Sequence, residues 1–436
     1  MKLLATPEWG RIPIGEGENA VSASLADALL VQAEAARRRL AKGDGAGPTV
    51  LTRDRTSLCA AQVTGILRTR DAQLEILPKV DDDDRILARK TLMRMLAHVW
   101  DLPVSANDLA SIVSTGGDIL EVLIRIFAEE LFSAVHRGLP HGYVEHEDDL
   151  PALRGRLDFT RQFTRLAATP QRLACRFDEF TPDIPINRVL KAAVRLLSRL
   201  SRHRDNQRKL HELLPAFDGV AELSTSAASR GTGILLDRTN RAYHRLYDMA
   251  QRFLRSEHQS IYTGNGDGFA LLFEMNTLFE EFIGRTVEQA LRPKGWTVSL
   301  QRPQSTALIR ESGIGAFRTK PDIHLVAPGS GSPIVIDTKW KQLTTGNSSP
   351  PWGVASADVY QMMAYGQVYD AEAVILLYPH SGVVGQETGL LEKFETSNGL
   401  KIFAATVDLK NFGQVPDALS ELIGKAACAR AYQAVV

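Results

Sequence analysis

The sequence is poor in cysteine: Cys59, Cys175 and Cys428 are the only three in 436 residues. They are scattered and odd in number, which argues against a disulfide framework and any cysteine-based metal spacing, and makes a reducing cytoplasm the expected setting. Long apolar runs are missing too. None approaches the ~20 residues a membrane span needs, so no membrane partner is expected. The opening Met1-Lys-Leu-Leu-Ala-Thr-Pro-Glu-Trp9 lacks the apolar stretch of a secretory signal. No Gly-x-x-x-x-Gly-Lys-[Ser/Thr] sequence occurs; Gly424-Lys425 lacks both the upstream glycine and the following hydroxyl residue. The chain is therefore not expected to bind a nucleotide through a P-loop. Internal repeats are absent, and so is net charge, with 51 basic residues against 51 acidic.

What remains is ordinary for a globular protein of two or three domains, at 44% hydrophobic and 23% charged residues. The charge is unevenly spread. Residues 151–210 carry 14 Lys and Arg against 5 Asp and Glu, whereas residues 111–150 carry 2 against 8. Such asymmetry points to a nucleic-acid face on one segment and a different partner on another. Within the basic segment, Lys191, Arg195, Arg199 and Arg202 line one side of a helix with Asn187 as its N-cap. Leu190, Ala193, Leu197 and Leu200 line the other. Phosphate contact is the functional reading of that basic side, and a solvated helix face is the alternative.

The pattern predicts a mixed α/β chain. Residues 1–110 hold a helix from Ser22 to about Lys42, a β-meander over 49–80 and a helix from Arg85 to Trp100. Asp81–Asp84 read as the acidic start of that last helix rather than as a metal site. Residues 111–263 are mainly helical, over 118–137, 187–215 and 240–255. Gly264-Asn-Gly-Asp-Gly268 marks the boundary before a third region, 264–436.

The chemistry concentrates in that third region. Residues 322–326 and 334–340 read as strands rich in β-branched residues, and Ala327-Pro-Gly-Ser-Gly-Ser-Pro333 between them is turn chemistry. If Val326 pairs roughly with Ile334, Asp322 falls within a residue of Asp337 across the ladder, where Cβ atoms lie ~5 Å apart. Alternation places Val335, Asp337 and Lys339 on one face. Two carboxylates with a lysine suit a Mg²⁺ site, with the lysine orienting or polarising water. Downstream, residues 356–366 predict a helix with Ser356 as N-cap, on which Gln361 and Tyr365 share a face. Upstream, residues 269–283 predict an amphipathic helix with Leu271, Met275, Leu278 and Phe282 buried. Glu280 and Glu281 flank that stripe on opposite sides, and periodicity does not choose between them.

Pro321-Asp322 followed by Asp337-Thr-Lys339 resembles the PD-(D/E)XK nuclease core, and the later Gln361-x-x-x-Tyr365 pair resembles the extra motif of its RecB-like branch. Leu74-Glu-Ile-Leu-Pro-Lys79, Gly138-Leu-Pro-His-Gly-Tyr143, Leu153-Arg-Gly-Arg-Leu157, Cys175-Arg-Phe-Asp-Glu-Phe180, Asn187-Arg-Val-Leu-Lys191 and Leu278-Phe-Glu-Glu-Phe282 precede the core in order. The ordered set, over residues 60 to 380, is similar to McrC, the nuclease subunit of the McrBC modification-dependent restriction system.

That resemblance implies a partner-docking region in 1–110 and a PD-(D/E)XK restriction-endonuclease-like α/β domain in 264–436. It implies metal ligation by Asp322 and Asp337 with Glu280 favoured over Glu281, catalysis by Lys339, and Mg²⁺ or Mn²⁺ as cofactor. It further implies an McrB-like AAA+ GTPase ring as partner and double-stranded DNA carrying methylcytosine as substrate. Gln361 and Tyr365 would contact DNA or brace the site. Two other readings stay open: a non-cleaving activator of the partner NTPase, and an autonomous RecB-like nuclease.

Overall fold

The computed structural model describes residues 1–41, 47–79, 84–104, 118–169, 171–229, 241–262, 268–302, 304–329, 332–344, 351–385 and 388–427. Asp81–Asp83, most of the glycine-rich stretch at 264–267, the centre of the turn at 330–331 and Cys428 lie outside them. The chain forms two units. One joins Met1–Ser114 to Leu272–Val436, and the other is Thr115–Leu271. The sequence boundaries at 110 and 263 fall near the two crossings. The first and third regions, read as separate domains, cluster together as one unit.

In that unit, β1 (Lys2–Pro7) and β2 (Arg11–Pro13) precede α1 (Ala23–Leu40). Both strands lie where the sequence suggested only a helix. The Ser22 hydroxyl caps α1 by accepting from Leu25 N at 3.2 Å. β3 (Leu51–Arg53), β4 (Ser57–Ala60), β5 (Val63–Arg68) and β6 (Ala72–Leu77) follow. They are not one meander: β4 pairs with β2 on one side and β3 on the other, while β5 and β6 join β1. β1 runs parallel to β6, from Lys2↔Ala72 to Pro7↔Leu77, and every residue of β6 is buried. A carboxylate in such a strand needs a partner, and Arg89 Nε donates to Glu75 at 2.7 Å. That arginine lies on α2 (Arg85–Trp100), whose N-terminal amides at Ile86 and Leu87 donate to the Asp84 side chain at 2.9 and 3.1 Å. The one described aspartate of the acidic run is thus a helix cap.

The other unit begins with α3 (Ile119–His136), followed by β7 (Gly142–Leu150), β8 (Arg156–Leu157), α4 (Phe159–Thr164) and β9 (Leu173–Thr181). β7 and β9 form a nine-residue antiparallel ladder. α5 (Pro185–Leu200), α6 (Arg204–Leu213), the short α7 (Thr225–Ser229) and α8 (His244–Tyr262) complete it. The single helix expected over 187–215 breaks at Ser201. Phe127 of α3 meets Phe253 of α8 edge-on at 5.9 Å between centroids. Glu121 ties the break to α3, accepting from Ser201 Oγ at 2.7 Å, from Asn206 Nδ2 at 2.8 Å and from Arg202 N. Glu121→Ala would strand buried donors on Ser201 and Asn206, at a cost of about 3 kcal/mol. Urea denaturation of wild type and variant checks this.

The charge asymmetry of the sequence resolves inside this unit. Arg156 pairs with Glu145 at 2.8 Å, Arg161 with Asp149 at 2.6 Å, and Arg176 with Glu147. Lys209 reaches Glu129 at 2.5 Å, and Arg245 pairs with Glu130. Much of the excess of one segment therefore neutralises the deficit of the other.

β10 (Phe269–Glu274) carries the chain back into the first unit as the last strand of the β1-β6-β5-β10 sheet. The sequence pattern predicts the start of a helix here, and the structure has a strand. Its continuous apolar run, Phe269-Ala-Leu-Leu-Phe273, satisfies a buried strand equally well, and the helix α9 (Met275–Leu291) starts only after it. Then come β11 (Thr297–Leu300), the hairpin β12 (Ser305–Ile309) and β13 (Gly315–Thr319), β14 (Ile323–Val326), β15 (Pro333–Thr338), α10 (Ser356–Val368), β16 (Ala373–Pro379), β17 (Gly389–Glu395), β18 (Lys401–Val407) and α11 (Val415–Ala427). The main sheet has the order β11-β14-β15-β16-β18-β17, parallel at β15-β16-β18 and antiparallel outside. Val335, Val374 and Leu376 pack with Met362 and Tyr365 of α10 in one cluster. The fold is mixed α/β, and no described helix is long and apolar enough to cross a membrane.

Candidate active site

The β14–β15 ladder pairs Ile323 with Ile336 and Val326 with Pro333. This is one residue from the assumed Val326–Ile334 pairing, and continuing it sets Asp322 opposite Asp337. Asp322 stands just before β14 and is fixed by β15: Thr338 N and Thr338 Oγ1 donate to its Oδ2 at 2.7 and 2.8 Å. Asp337, near the C-terminal end of the parallel part of β15, is 2% exposed. Lys339 follows the strand, its N–H held by Leu377 O at 2.9 Å, and its Nζ lies 2.7 Å from Asp337 Oδ2.

α10 completes the cluster. Gln361 accepts from Lys339 Nζ at 3.0 Å and donates to Asp337 Oδ1 at 3.3 Å and to Tyr365 Oη at 2.9 Å. Tyr365 in turn donates to Lys320 O at 3.1 Å, beside the Pro321-Asp322 pair. The i, i+4 spacing thus delivers both side chains to the carboxylates. The start of α10 differs from expectation. Ser356 is its first helical residue, Ala355 takes the cap position, and no side chain caps it.

Burial, and then the neighbouring Asp322 charge, push the Asp337 carboxyl up to about 7 against the pull of Lys339. Burial also raises Asp322, despite its bonds from Thr338. Burial opposes charge on Lys339, but Asp337, Asp358 and Asp322 outweigh it and raise its pKa. A buried carboxyl and a half-buried one thus share one ammonium, a donor set short of positive charge that a hard divalent cation would satisfy. Among the described residues, no three His, Cys, Asp or Glu side chains gather as metal ligands. The residues that fit Mg²⁺ are therefore Asp322 and Asp337, a number usual for Mg²⁺ when water and phosphate fill the remaining shell.

Glu280 is half-buried and Glu281 exposed. Gln301 Nε2 donates to Glu280, and Gln301 N donates to Asp322 O at 2.8 Å, so Glu280 approaches the site through an intermediary. The sequence reading missed Asp358, 7% exposed, which accepts from Lys341 Nζ at 2.8 Å. Its place three residues before Gln361 on the same helix was the available signal.

The basic face read on α5 does not stand free. Lys191 is buried and donates to Val220 O at 2.7 Å beside Glu222. Arg195 pairs with Glu222 at 2.7 Å and Arg199 with Glu257 at 2.8 Å. Asn187 is buried within the helix, donating to Pro140 O and Pro182 O, and Ile184 holds the cap position instead. Phosphate contact by Lys191 is corrected accordingly: an amphipathic pattern shows which side is polar, not which acids face it.

Residues 58–379 match the family described as "McrBC 5-methylcytosine restriction system component". The chain belongs to this McrBC family. It is 20% identical over 340 residues to the Type IV methyl-directed restriction enzyme EcoKMcrBC of Escherichia coli (strain K12), covering 74% of this chain and 93% of that protein. Among solved structures, the McrBC chain is similar to one in a half-complex from a tetradecameric assembly of Thermococcus gammatolerans McrB AAA+ hexamers with bound McrC. The TM-score is 0.71 at 21% identity, over 97% of this chain and 99% of that one. A chain of the Thermococcus gammatolerans McrBC complex matches with a TM-score of 0.51 at 24% identity, over 66% and 88%. At these identities the likeness is one of fold.

Proposed function

We propose that this McrBC component is the McrC-type subunit, a Mg²⁺-dependent endodeoxyribonuclease with a PD-(D/E)XK site that cuts methylcytosine-containing DNA. The observation that carries the reading is the convergence of Asp322, Asp337, Lys339 and Gln361 at the end of β15. Asp322 and Asp337 would hold Mg²⁺ (or Mn²⁺), with Glu280 behind them through Gln301. When bound, the metal supplies Lewis-acid stabilisation of charge on the phosphate and the departing oxygen.

The chain's own residues do the rest. Lys339, with its pKa raised, stays an ammonium at neutral pH. It therefore donates to a phosphate oxygen rather than accepting a proton. Gln361 holds that ammonium and Asp337 in one geometry, and Tyr365 braces Gln361. Water attacks phosphorus in line and gives its proton to solvent, the P–O bond to the leaving strand breaks, and the departing oxygen takes a proton from solvent. Gln361→Ala is expected to slow cleavage 10- to 100-fold, the usual loss when a group that orients metal ligands is removed. Single-turnover rates check it.

The solved relative is an assembly of McrB AAA+ hexamers with bound McrC. An McrB-like AAA+ GTPase ring is the corresponding partner here, and it would read the modified base. No P-loop signature occurs in this chain, so the GTPase activity belongs to the ring. The test uses methylated and unmethylated plasmid with Mg²⁺, each with and without an McrB-like AAA+ NTPase and GTP. Cutting only of methylated DNA, and only with partner and GTP, is expected. Cutting of unmodified DNA by the chain alone would replace this reading with an autonomous nuclease.

A further inference from the structure

A cavity of about 360 Å³ lies in the same unit, beside the catalytic lysine's neighbour Trp340. Its lining includes Glu8, Trp9, Gln62, Lys79, Trp340 and Lys341. Glu8 is only 2% exposed. One carboxyl oxygen, Oε2, accepts from Trp340 Nε1 at 2.8 Å and from Lys79 N at 3.1 Å. The other, Oε1, is buried and has no hydrogen-bond partner among the described residues. A buried acceptor left open costs stability unless something donates to it. Burial also holds the Glu8 carboxyl up at about 7.

Trp9 adds a second oddity. Gly10 N donates to Pro7 O at 2.9 Å, closing a turn in which Trp9 takes φ 61°. That left-handed position ordinarily takes glycine or asparagine, and a bulky residue there is strained. Trp9 is 63% exposed and lines the cavity. A strained, exposed aromatic beside a buried open acceptor is a feature of binding sites rather than of cores.

The ligand's chemistry follows from the walls. The open carboxyl oxygen asks for an N–H donor. The exposed indole offers a stacking face. Lys341 is taken up by Asp358, and Lys79 disfavours a free cation and favours a ligand that carries phosphate. Lys341 of the cavity wall pairs with Asp358 at 2.8 Å, and the Asp358 charge reaches Asp337, so the cavity adjoins the proposed cleavage centre. Resting on the DNA-cleaving reading above, we propose that this cavity receives a nucleobase unstacked from the DNA beside the cut. Trp9 stacks on the base, and Glu8 accepts from its amino edge. Enzymes that draw a base from the stack hold it by this pairing of aromatic contact and edge hydrogen bonds.

The test uses this chain with Asp337→Asn throughout, so that DNA stays intact, in complex with the McrB-like AAA+ partner and GTP. The probe is a methylated duplex carrying 5-iododeoxycytidine at successive positions around the cut. Photocrosslinking to the peptide bearing Trp9 is expected from one or two positions only. Trp9→Ala should remove that crosslink and weaken duplex binding about ten-fold, as loss of one stacked base does. Glu8→Gln, which keeps the shape, should weaken binding to cytosine at that position more than to thymine. Unchanged affinity and crosslinking in both variants would overturn the pocket assignment alone. Failure of the Asp337→Asn complex to crosslink this chain to any position of the duplex would overturn the DNA reading and the pocket with it.

Discussion

Asp337→Asn is expected to reduce DNA cleavage on the order of a thousand-fold or more while leaving the protein folded. The size follows from removing a charged group that acts where charge develops, inside a buried site. The substitution is nearly isosteric, and a buried carboxyl held up at about 7 by burial and by Asp322 is no source of stability at neutral pH. A carboxyl whose folded pKa lies above its usual 3.8 binds its proton more tightly in the native state than in the unfolded one. Its favourable contribution is full at low pH and is lost as pH rises from about 4 to 7. Metal-free wild type should therefore lose stability across that window, and Asp337→Asn should flatten the slope. Glu8, also held near 7 by burial, carries a remainder. Mg²⁺ competes with the proton on Asp337, so it should raise the Tm of wild type more at pH 8 than at pH 6. Thermal melts of both proteins with and without Mg²⁺ check this; an equal Mg²⁺ shift in the variant would remove Asp337 from the ligand set.

Lys339→Met is the second large effect. Among the described residues the ammonium is the one cation paired with Asp337, 2.7 Å from Oδ2, and Gln361 holds it at 3.0 Å. Methionine keeps the apolar stem and removes the charge. Cleavage should fall 10²- to 10⁴-fold, the range for a group that assists proton and charge movement in the transition state. Mg²⁺ affinity should survive, because Asp322 and Asp337 remain and have lost a competing cation. Lys339→Arg should not restore the rate, since a planar guanidinium cannot take the place of a compact ammonium held by Gln361. A variant that cut at the wild-type rate would show that Lys339 only neutralises Asp337.

The hairpin was legible because its chemistry is local. Turn residues between two β-branched runs set the register to within one residue, and alternation then placed Asp337 with Lys339. Gln361 and Tyr365 were legible because four residues make one helical turn. Other features depend on partners distant in sequence. Phe269–Glu274 reads as helix or strand until β5 pairs with it, and tertiary pairing decided for the strand. Lys191 looked like a phosphate ligand because Glu222, which neutralises it, lies 31 positions away. The N-terminal strands of the first unit stayed hidden because β1 finds its parallel partner in β6, after all of α1. Glu8 and Trp340, joined by a hydrogen bond of 2.8 Å, are separated by 332 positions, a distance at which periodicity carries no information.

The central claim is that the Asp322–Asp337–Lys339 cluster cuts DNA. It is tested most directly by mixing wild type or Asp337→Asn with the AAA+ partner, GTP, Mg²⁺ and methylated plasmid, and following linear product and GTP hydrolysis together. The account predicts cleavage by wild type, none by the variant, and equal stimulation of GTP hydrolysis by both. Cleavage by the variant at the wild-type rate, or stimulated GTP hydrolysis with no cleavage by either protein, would contradict it.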